Sequence, residues 1–323
     1  PSSRDQSFRN FIERNFPNPK QEQKLEEAKF WARKYVSGFN AADPSDVSVN
    51  WLIQEQEAEE QVDGQRAFFI NKGYSALVQS QLNTLRKLNV EIVLNSAIRN
   101  IRWSRHSVEI SLLRSTKKFK VNAPRVLITV PLGVLQAHPT DKGAMRFSPR
   151  LPLPKQHALQ KLAMGHVLRI TLQFKSRFWE KIRSGGSHDS KSLSDLSFLF
   201  SDDEWFPTWW TKMPGKAPLI TGWAPFQCAD KLAGRGRKFV INKALTALAQ
   251  NLQRPLKDVK AMLKNVHYHD WQSDPFSRGA YSYVKVGGKR APGILSTPVQ
   301  QTLYFAGEAT DVSGQTGTVH GAI

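Results

Sequence analysis

The chain has little cysteine and no long apolar run, and each shortage excludes a class of protein. Cys228 is the single cysteine among 323 residues, which excludes an internal disulfide framework, and no CxxC pair indicates a zinc site. No window approaches the run of about 18 apolar residues that a membrane-spanning helix needs. No GxSxG turn is present, which argues against a serine hydrolase of the α/β type. We interpret Cys228 as a buried spectator rather than a reactive thiol.

Acidic residues are also scarce, with 27 Asp and Glu against 46 Lys and Arg, giving a formal charge of +19. The densest basic stretch, residues 99–125, alternates Lys and Arg with Ile, Val and Leu at the period of a β-strand. That alternation is typical of the solvated face of a β-meander. We favour this interpretation over a nucleic-acid groove because no nucleic-acid-binding motif accompanies the charge.

Helical periodicity dominates the first part of the chain, residues 2–60. The apolar positions of the first long helix fall near one face, and Gly38 is expected to end it. A second helix is expected to begin near residues 43–52, with Asp43 or Ser45 as its cap.

From residue 67 the pattern changes to a strand, a helix and a second strand. The strands are predicted at residues 67–71 and 90–96, and the helix between them is entered through Gly73. Such an order with short connections indicates a βαβ crossover and a partly parallel sheet. The basic meander and a buried strand running into a Pro-Gly turn, residues 126–133, follow.

The second half of the chain alternates helices with aromatic strands. We expect helices at 155–163 and 237–252, and strands at 166–174, 196–200, 205–211, 218–224 and 265–271. The aromatic strands suggest a second, mixed-sheet domain that is inserted into the first, so that the first domain is discontinuous in sequence.

Four motifs, in this order, carry a resemblance to a known family. They are LITVPLGVLQA, KLAMGHVLRITLQFKSRFWE, WQSDPFSRGAYSYVKVGG and the terminal YFAGEAT with GTVHGA. From about Ser48 to Ala322 the chain resembles the flavin-containing amine oxidases, which include polyamine oxidases, monoamine oxidases and histone lysine demethylases. The resemblance implies an α/β fold with two domains, a partial Rossmann-like FAD domain and a substrate domain with helices and a mixed sheet. The implied division is 1–66 substrate domain, 67–148 FAD domain, 149–276 substrate domain and 277–323 FAD domain.

Two parts of the family pattern are missing. Members of that family begin with a strand, a GxGxxG turn, a helix and an acidic residue for the ribose, and their last helix continues beyond the HGAI sequence. Neither part is found here. The sequence is therefore expected to be an internal piece of a longer reading frame, which by itself binds FAD poorly and exposes a sheet edge.

The terminal motif is where the resemblance places the cofactor. A pyrophosphate needs backbone N–H donors that approach without a Cβ in the way, and the alternative for this motif is an ordinary strand, loop and helix. The resemblance puts Gly307 and Glu308 near the pyrophosphate and Thr318 and Val319 beside the flavin ring. The full set of implied FAD-binding residues is Ile98, Pro131, Gly307, Glu308, Gly317, Thr318 and Val319.

The resemblance also implies three catalytic positions. Tyr281 would hold an amine against its ring face by cation–π attraction, although a core tyrosine in a strand is the alternative. Arg169 stands where the family usually has a lysine that holds a water against the flavin, and a planar guanidinium replaces a compact ammonium poorly. Thr318 stands where some relatives have a second cage tyrosine.

The resemblance implies an oxidoreductase that transfers hydride from an amine to FAD and is reoxidised by O2, giving H2O2. Ala280 stands where relatives with a covalent flavin have cysteine, so the FAD is expected to be non-covalent. The implied partners are a small amine and O2, without nucleic acid or a membrane span, and the oligomeric state is open. The cellular compartment is also open, with a cytoplasmic location as the default. The alternative function is a non-catalytic remnant that acts as a binding or scaffolding module.

The remaining sequence features leave alternatives open. The net positive charge would repel a polycation such as spermine, so a monoamine or an amino acid is the expected substrate. His267 and His269 could bind a metal, but no third ligand is evident and we favour polar residues near a sheet edge. The Trp-rich stretch 204–210 could line a substrate channel or form a packed sheet face.

Overall fold

The computed structural model describes residues 4–20, 22–64, 66, 70, 72–184 and 191–323. Helices and strands alternate along this part of the chain, and the predicted α/β class is confirmed. The α-helices are α1 Phe8–Asn15, α2 Gln23–Phe39, α3 Val49–Gln61, α4 Tyr74–Lys87, α5 Leu132–Leu135, α6 Leu153–Gln160, α7 Gln227–Leu232, α8 Arg237–Asn251, α9 Leu256–Met262, α10 Ala291–Ser296 and α11 Val319–Ala322.

The strands are short except in the meander and in the larger sheet. They are β1 Ser96–Ser104, β2 Ser107–Arg114, β3 Lys117–Ala123, β4 Val126–Ile128, β5 Arg146–Ser148, β6 Leu162–Met164, β7 Val167–Phe174, β8 Arg183–Ser184, β9 Lys191–Ser192, β10 Phe198–Phe200, β11 Thr208–Thr211, β12 Leu219–Pro225, β13 Leu263–Tyr268, β14 Ser282–Val284 and β15 Leu303–Phe305.

The basic meander forms as predicted. Strands β1, β2 and β3 pair antiparallel, and β5 adds to β1 in parallel. Ile101 and Trp103 point into the core, while the side chains of β3 lie almost entirely in solvent. Lys120 of β3 pairs with Glu109 of β2 at 2.9 Å. The basic residues of this stretch therefore lie on the solvent-exposed face of a sheet.

The aromatic strands also form as predicted, in a sheet with the order β10-β11-β12-β7-β13. All four pairings in it are antiparallel, so this sheet is antiparallel where the sequence predicted a mixed one, and the parallel pairings are those of β1 with β5 and β4 with β15. Helix α8 covers the sheet and contributes Leu245 and Leu248 to a core that also contains Phe174, Trp179 and Trp209.

Two small sheets bring distant segments together beside this core. Strands β4 and β15 pair in parallel, with Val126 opposite Leu303 and Ile128 opposite Phe305. Strands β6 and β14 pair antiparallel. The segments that follow β4 and β15 therefore leave the same edge of a parallel pair, and this edge becomes one wall of the candidate site.

Two predicted helix boundaries are wrong. The helix expected near residues 43–52 begins at Val49, and its cap is Ser48, whose Oγ accepts a hydrogen bond from the backbone N–H of Trp51 at 3.1 Å. Helix α2 passes through Gly38 and ends at Phe39. Ser48, and not Asp43 or Ser45, is the cap of this helix. Its backbone N–H is bonded to the carbonyl of Val284, and this bond fixes where the chain turns.

The prediction of a second strand in the βαβ unit, at residues 90–96, is also wrong. Helix α4 forms and begins after Gly73, but residues 90–95 are not in a strand and only Ser96 opens β1. Val90, Val93 and Leu94 are exposed, and in the described part of the chain no strand pairs with residues 90–95. The strand expected at residues 67–71 lies largely outside the described residues. The parallel crossover is not formed in the described part of the chain.

In the ranges that the structure describes, no helix is both long and apolar enough to cross a bilayer. The buried residues fall into two clusters, one around the five-stranded sheet and one around the meander and strands β4 and β15. The domain boundaries given above stay a prediction.

Candidate functional site

A cavity of about 560 Å³ lies between the small parallel sheet and strands β7 and β12. Its wall is mostly apolar and includes Ile128, Leu132, Val167 and Phe305. Polar groups stand at its edges, as is usual for pockets that bind organic cofactors. Five of the sequence-predicted site residues line it: Pro131, Arg169, Tyr281, Gly307 and Glu308.

Tyr281 lines this cavity, and its hydroxyl is bonded to another part of the chain. The Tyr281 Oη donates a hydrogen bond to the backbone carbonyl of Phe39, at the end of α2. Burial raises the pKa of Tyr281, and the nearby charge of Glu55 adds to the effect. The phenol therefore stays neutral and cannot serve as a general base, and the ring face is the part of Tyr281 that a ligand can use.

Arg169 comes from the middle of β7, opposite Trp223 of β12. Its guanidinium lies over the ring of Trp210, 5.9 Å from the ring centroid. Trp223 also lines the cavity, and its ring centroid lies 5.8 Å from that of Trp210. The guanidinium of Arg169 therefore lies next to two tryptophan rings. Its positive charge can face an anionic or electron-rich ligand.

Gly307 lies where the chain turns out of β15, with φ 121°. A Cβ at this position would meet no protein atom within 4 Å, and Gly307 lines the cavity, so its backbone is open to a close ligand. Gly317, with φ 81°, differs because a Cβ there would lie 2.9 Å from the carbonyl oxygen of Ser282. Gly307 thus leaves room for a ligand, whereas Gly317 allows two protein segments to approach.

Glu308, which follows β15, joins strand β14 to the loop before α11. Its Oε2 accepts hydrogen bonds from the Ser282 hydroxyl at 2.6 Å and from the Gly317 N–H at 2.8 Å. Burial raises the pKa of Glu308, while these hydrogen bonds oppose the shift. The carboxylate therefore holds the terminal loop against β14, and its contribution to the cavity is structural as well as polar.

The other predicted cofactor residues do not line the cavity. Thr318 caps α11 through a hydrogen bond that its Oγ1 accepts from the Gly321 N–H at 3.1 Å. Val319 is partly exposed on the same helix, from which Ala322 reaches the cavity. Ile98 lies on β1 and packs against the core of the meander. The FAD-binding roles of these residues stay predictions.

The residues present fit the flavin end of FAD. The cavity has mostly apolar walls, the open backbone of Gly307 and the cation of Arg169. Ala280 lines it too and offers no nucleophile for a covalent link.

No cluster of three metal-ligating side chains occurs in the described ranges, and His269 instead pairs with Asp274 at 2.8 Å.

Two aromatic residues of the cavity wall are missing from the sequence-based set. Trp223 and Trp271 both line it, whereas the Trp-rich stretch 204–210 contributes Trp209 to the sheet core instead. The signal for Trp223 is its place in an aromatic strand antiparallel to the strand of Arg169.

Burial raises the pKa of the Cys228 thiol, which agrees with a spectator role.

The whole chain, residues 1–323, matches the family model described as flavin containing amine oxidoreductase. The chain belongs to this family. Sequence relatives include polyamine oxidase 3 of Oryza sativa subsp. japonica, 30% identical over 312 residues, which cover 96% of this chain and 57% of the relative. Lysine-specific histone demethylase 1 homolog 3 of Arabidopsis thaliana is 29% identical over 254 residues, which cover 75% of this chain and 14% of the relative.

Solved structures of similar fold include a redesigned putrescine oxidase, with a TM-score of 0.70 and 17% identity over 98% of this chain and 65% of that one. Cyclohexylamine oxidase from Brevibacterium oxydans IH-35A has a TM-score of 0.69 and 16% identity, covering 98% of this chain and 64% of that one. At these identities the structures establish the fold. The chain spans less than two thirds of the length of these relatives.

Proposed function

We propose that this protein is part of a FAD-dependent amine oxidase. The observation that carries the proposal is the meeting of Pro131, Arg169, Tyr281, Gly307 and Glu308, from separate parts of the chain, around one cavity. When bound, FAD would accept a hydride from the α-carbon of the amine and pass the electrons to O2, giving H2O2. The imine product would hydrolyse to a carbonyl compound and a smaller amine.

The chain's own residues position and desolvate the amine. Because the hydroxyl of Tyr281 is already bonded to Phe39, the ring can only hold an amine by its face, a contact that contributes about 0.5–2 kcal/mol. The apolar wall formed by Val167 and Leu132 excludes water from the reacting carbon. Arg169 provides positive charge next to the cofactor, where the family usually has lysine.

Anaerobic absorption spectroscopy tests the proposal. The protein, expressed from its full reading frame, is mixed with FAD, separated from excess cofactor, and titrated with a mixture of amines. We expect a flavin band that bleaches with amine and returns with oxygen, with one H2O2 formed for each amine consumed. Acid precipitation should release the flavin into solution, as expected if Ala280 forms no covalent bond.

Two substitutions define the roles of the cavity residues. Tyr281→Ala should weaken the amine reaction by roughly tenfold through the loss of the ring contact, while Tyr304→Ala, a tyrosine outside the cavity wall, should not. Arg169→Lys should raise oxygen consumption severalfold if the cation assists the reaction with oxygen.

The second candidate function is a non-catalytic binding module, which the presence of Arg169 in place of the family lysine favours. A protein from the full reading frame that stays colourless after exposure to FAD, or a flavin band that no amine bleaches, would support that alternative and contradict the amine oxidase.

A further inference from the structure

The five-stranded sheet has aromatic rings on the face that points away from its core. Trp209 of β11 and Leu199 of β10 pack into the core that helix α8 covers. Because side chains alternate between the two faces of a strand, Trp210, Phe198 and Phe200 lie on the opposite face. Phe198 and Phe200 are each 60% exposed. The Trp-rich stretch of the sequence thus contributes one ring to the core and the next ring to this outer face.

The rings of this face contact one another from the sheet edge to the main cavity. Phe198 and Phe200 on the edge strand β10 stack with ring centroids 6.0 Å apart and an interplanar angle of 7°. The ring centroid of Phe198 lies 6.4 Å from that of Trp210, which in turn lies 5.8 Å from that of Trp223. Trp223 lines the cavity, and its Nε1 donates a hydrogen bond to the Gly38 carbonyl at 2.9 Å. We call these rings, Phe200, Phe198, Trp210 and Trp223, the aromatic row.

A contiguous row of exposed rings differs from a single exposed apolar residue. Scattered apolar side chains are normal on a protein surface, whereas connected apolar surface marks a place where another molecule binds. This row is continuous with the cavity at Trp223. The occupant that this continuity favours is the part of a substrate that extends out of the cavity.

The charge of this face favours an apolar occupant over a second ammonium group. Thr208 lies opposite Trp223 and Thr221 lies opposite Trp210 in the sheet, and both threonines are uncharged. The cation of Arg169 lies over the ring of Trp210. A second ammonium group would be repelled by this guanidinium, whereas an alkyl tail would lose contact with water against the rings. A monoamine also agrees with the net positive charge of the chain.

We propose that the aromatic row binds the apolar tail of a long-chain primary monoamine whose amino group reacts beside Tyr281, and that Phe198 is a specificity-determining residue for tail length. This inference rests on the proposed amine oxidase function. Neighbouring strands lie about 4.8 Å apart, so Phe198 on β10 stands about 10 Å from Trp223 on β12 across the sheet. We expect n-butylamine to end within the cavity and the tail of n-dodecylamine to reach Phe198.

Chain length and substitution of Phe198 together test the proposal. In the flavin-loaded protein, expressed from its full reading frame, kcat/KM should rise by about tenfold or more from n-butylamine to n-dodecylamine, because added methylene groups leave water. Phe198→Ala should lower the value for n-dodecylamine by about tenfold and that for n-butylamine by less than about twofold. Phe198→Leu should retain most of the gain, since it keeps an apolar side chain. Phe119→Ala, at a 44% exposed position of β3, is the control and should change neither value.

Three results would overturn the proposal. The first is a kcat/KM that does not rise with chain length, or that Phe198→Ala lowers equally for both amines. The second is faster turnover of 1,12-diaminododecane than of n-dodecylamine, which would show that the row does not select an apolar end. The third is a change of oligomeric state in Phe198→Ala, measured by sedimentation, with an unchanged chain-length profile, which would assign the row to contact between copies of the chain.

Calorimetry provides a measurement that does not depend on turnover. With the flavin reduced beforehand under anaerobic conditions, both amines are titrated into the wild type and into Phe198→Ala. The substitution should weaken binding of n-dodecylamine by about tenfold and leave that of n-butylamine unchanged. Equal affinity of the two proteins for n-dodecylamine would contradict the role of Phe198. If neither amine is oxidised, the proposed function fails while this binding measurement still decides the inference.

Discussion

The two hydrophobic cores of this protein are built in different ways. The core of the five-stranded sheet draws its buried residues from one stretch of sequence, 168–266. The other core combines residues from α2 and α3, the meander, α6 and the segment 283–309. The first core can therefore form from neighbouring strands and helices, whereas the second needs specific contacts between segments that are distant in sequence.

Those contacts are polar as well as apolar. Asp5 near the amino end accepts hydrogen bonds from the Ser48 hydroxyl and the Gly287 N–H. Lys155 of α6 donates to the carbonyls of Ile294, Leu295 and Thr297 at the end of α10. The second core thus combines apolar burial with buried polar groups whose loss would leave partners unsatisfied.

The largest expected effect comes from truncating the sheet core. Phe174 is 1% exposed and packs edge-on against Phe178 and Trp179. Phe174→Ala should lower the free energy of unfolding by about 4 kcal/mol, because it leaves a cavity. Urea denaturation measures the change. Leu94→Ala, at a position 72% exposed, is the control and should change it by less than about 0.5 kcal/mol.

An intermediate effect is expected from a polar contact of the second core. Lys155→Met should lower the free energy of unfolding by roughly 3 kcal/mol, because the carbonyls at the end of α10 lose their donor. Lys161→Met is the matched control, since exposed Lys161 donates to one carbonyl, that of Val286. Equal small effects of the two variants would show that the second core depends on apolar burial alone.

The smallest expected effect is a change of pH dependence in the second core. Burial of Glu55 on helix α3 raises its pKa in the folded state to about 7, above its ordinary value of 4.5, so between these values the folded state binds more protons than the unfolded state. Stability should therefore fall as the pH rises from 4.5 to 7. Glu55→Gln should remove roughly 2 kcal/mol of this fall. Parallel pH profiles of the two proteins in urea titrations would contradict the prediction.

Prediction from sequence succeeded where apolar patterning and local structure agree. The aromatic strands β10, β11 and β12, the helix α8 and the meander were all predictable because their partners are close in the chain. The strand at 90–96 was not, because a strand forms only with a pairing partner and the described residues supply none for 90–95. Val90, Ile92, Val93 and Leu94 are apolar, yet all four are exposed.

For the candidate site, the family motifs indicated Tyr281, Arg169 and Gly307, but not what surrounds them. The partner of the Tyr281 hydroxyl is Phe39, 242 residues away in the sequence. Trp223, which lines the cavity, belongs to none of the four family motifs. Local patterns carry no information on which distant side chains meet across such separations.

The sequence by itself determined the types of most elements, the order of the motifs and the resemblance to a family whose membership the comparisons confirm. These follow from periodicity and turn chemistry, which act over a few residues. The tertiary structure alone decided where helix α3 begins, which segments pair in the two small sheets, and that the hydroxyl of Tyr281 bonds to the carbonyl of Phe39. Those outcomes depend on hydrogen-bond partners and burial that only the folded chain supplies.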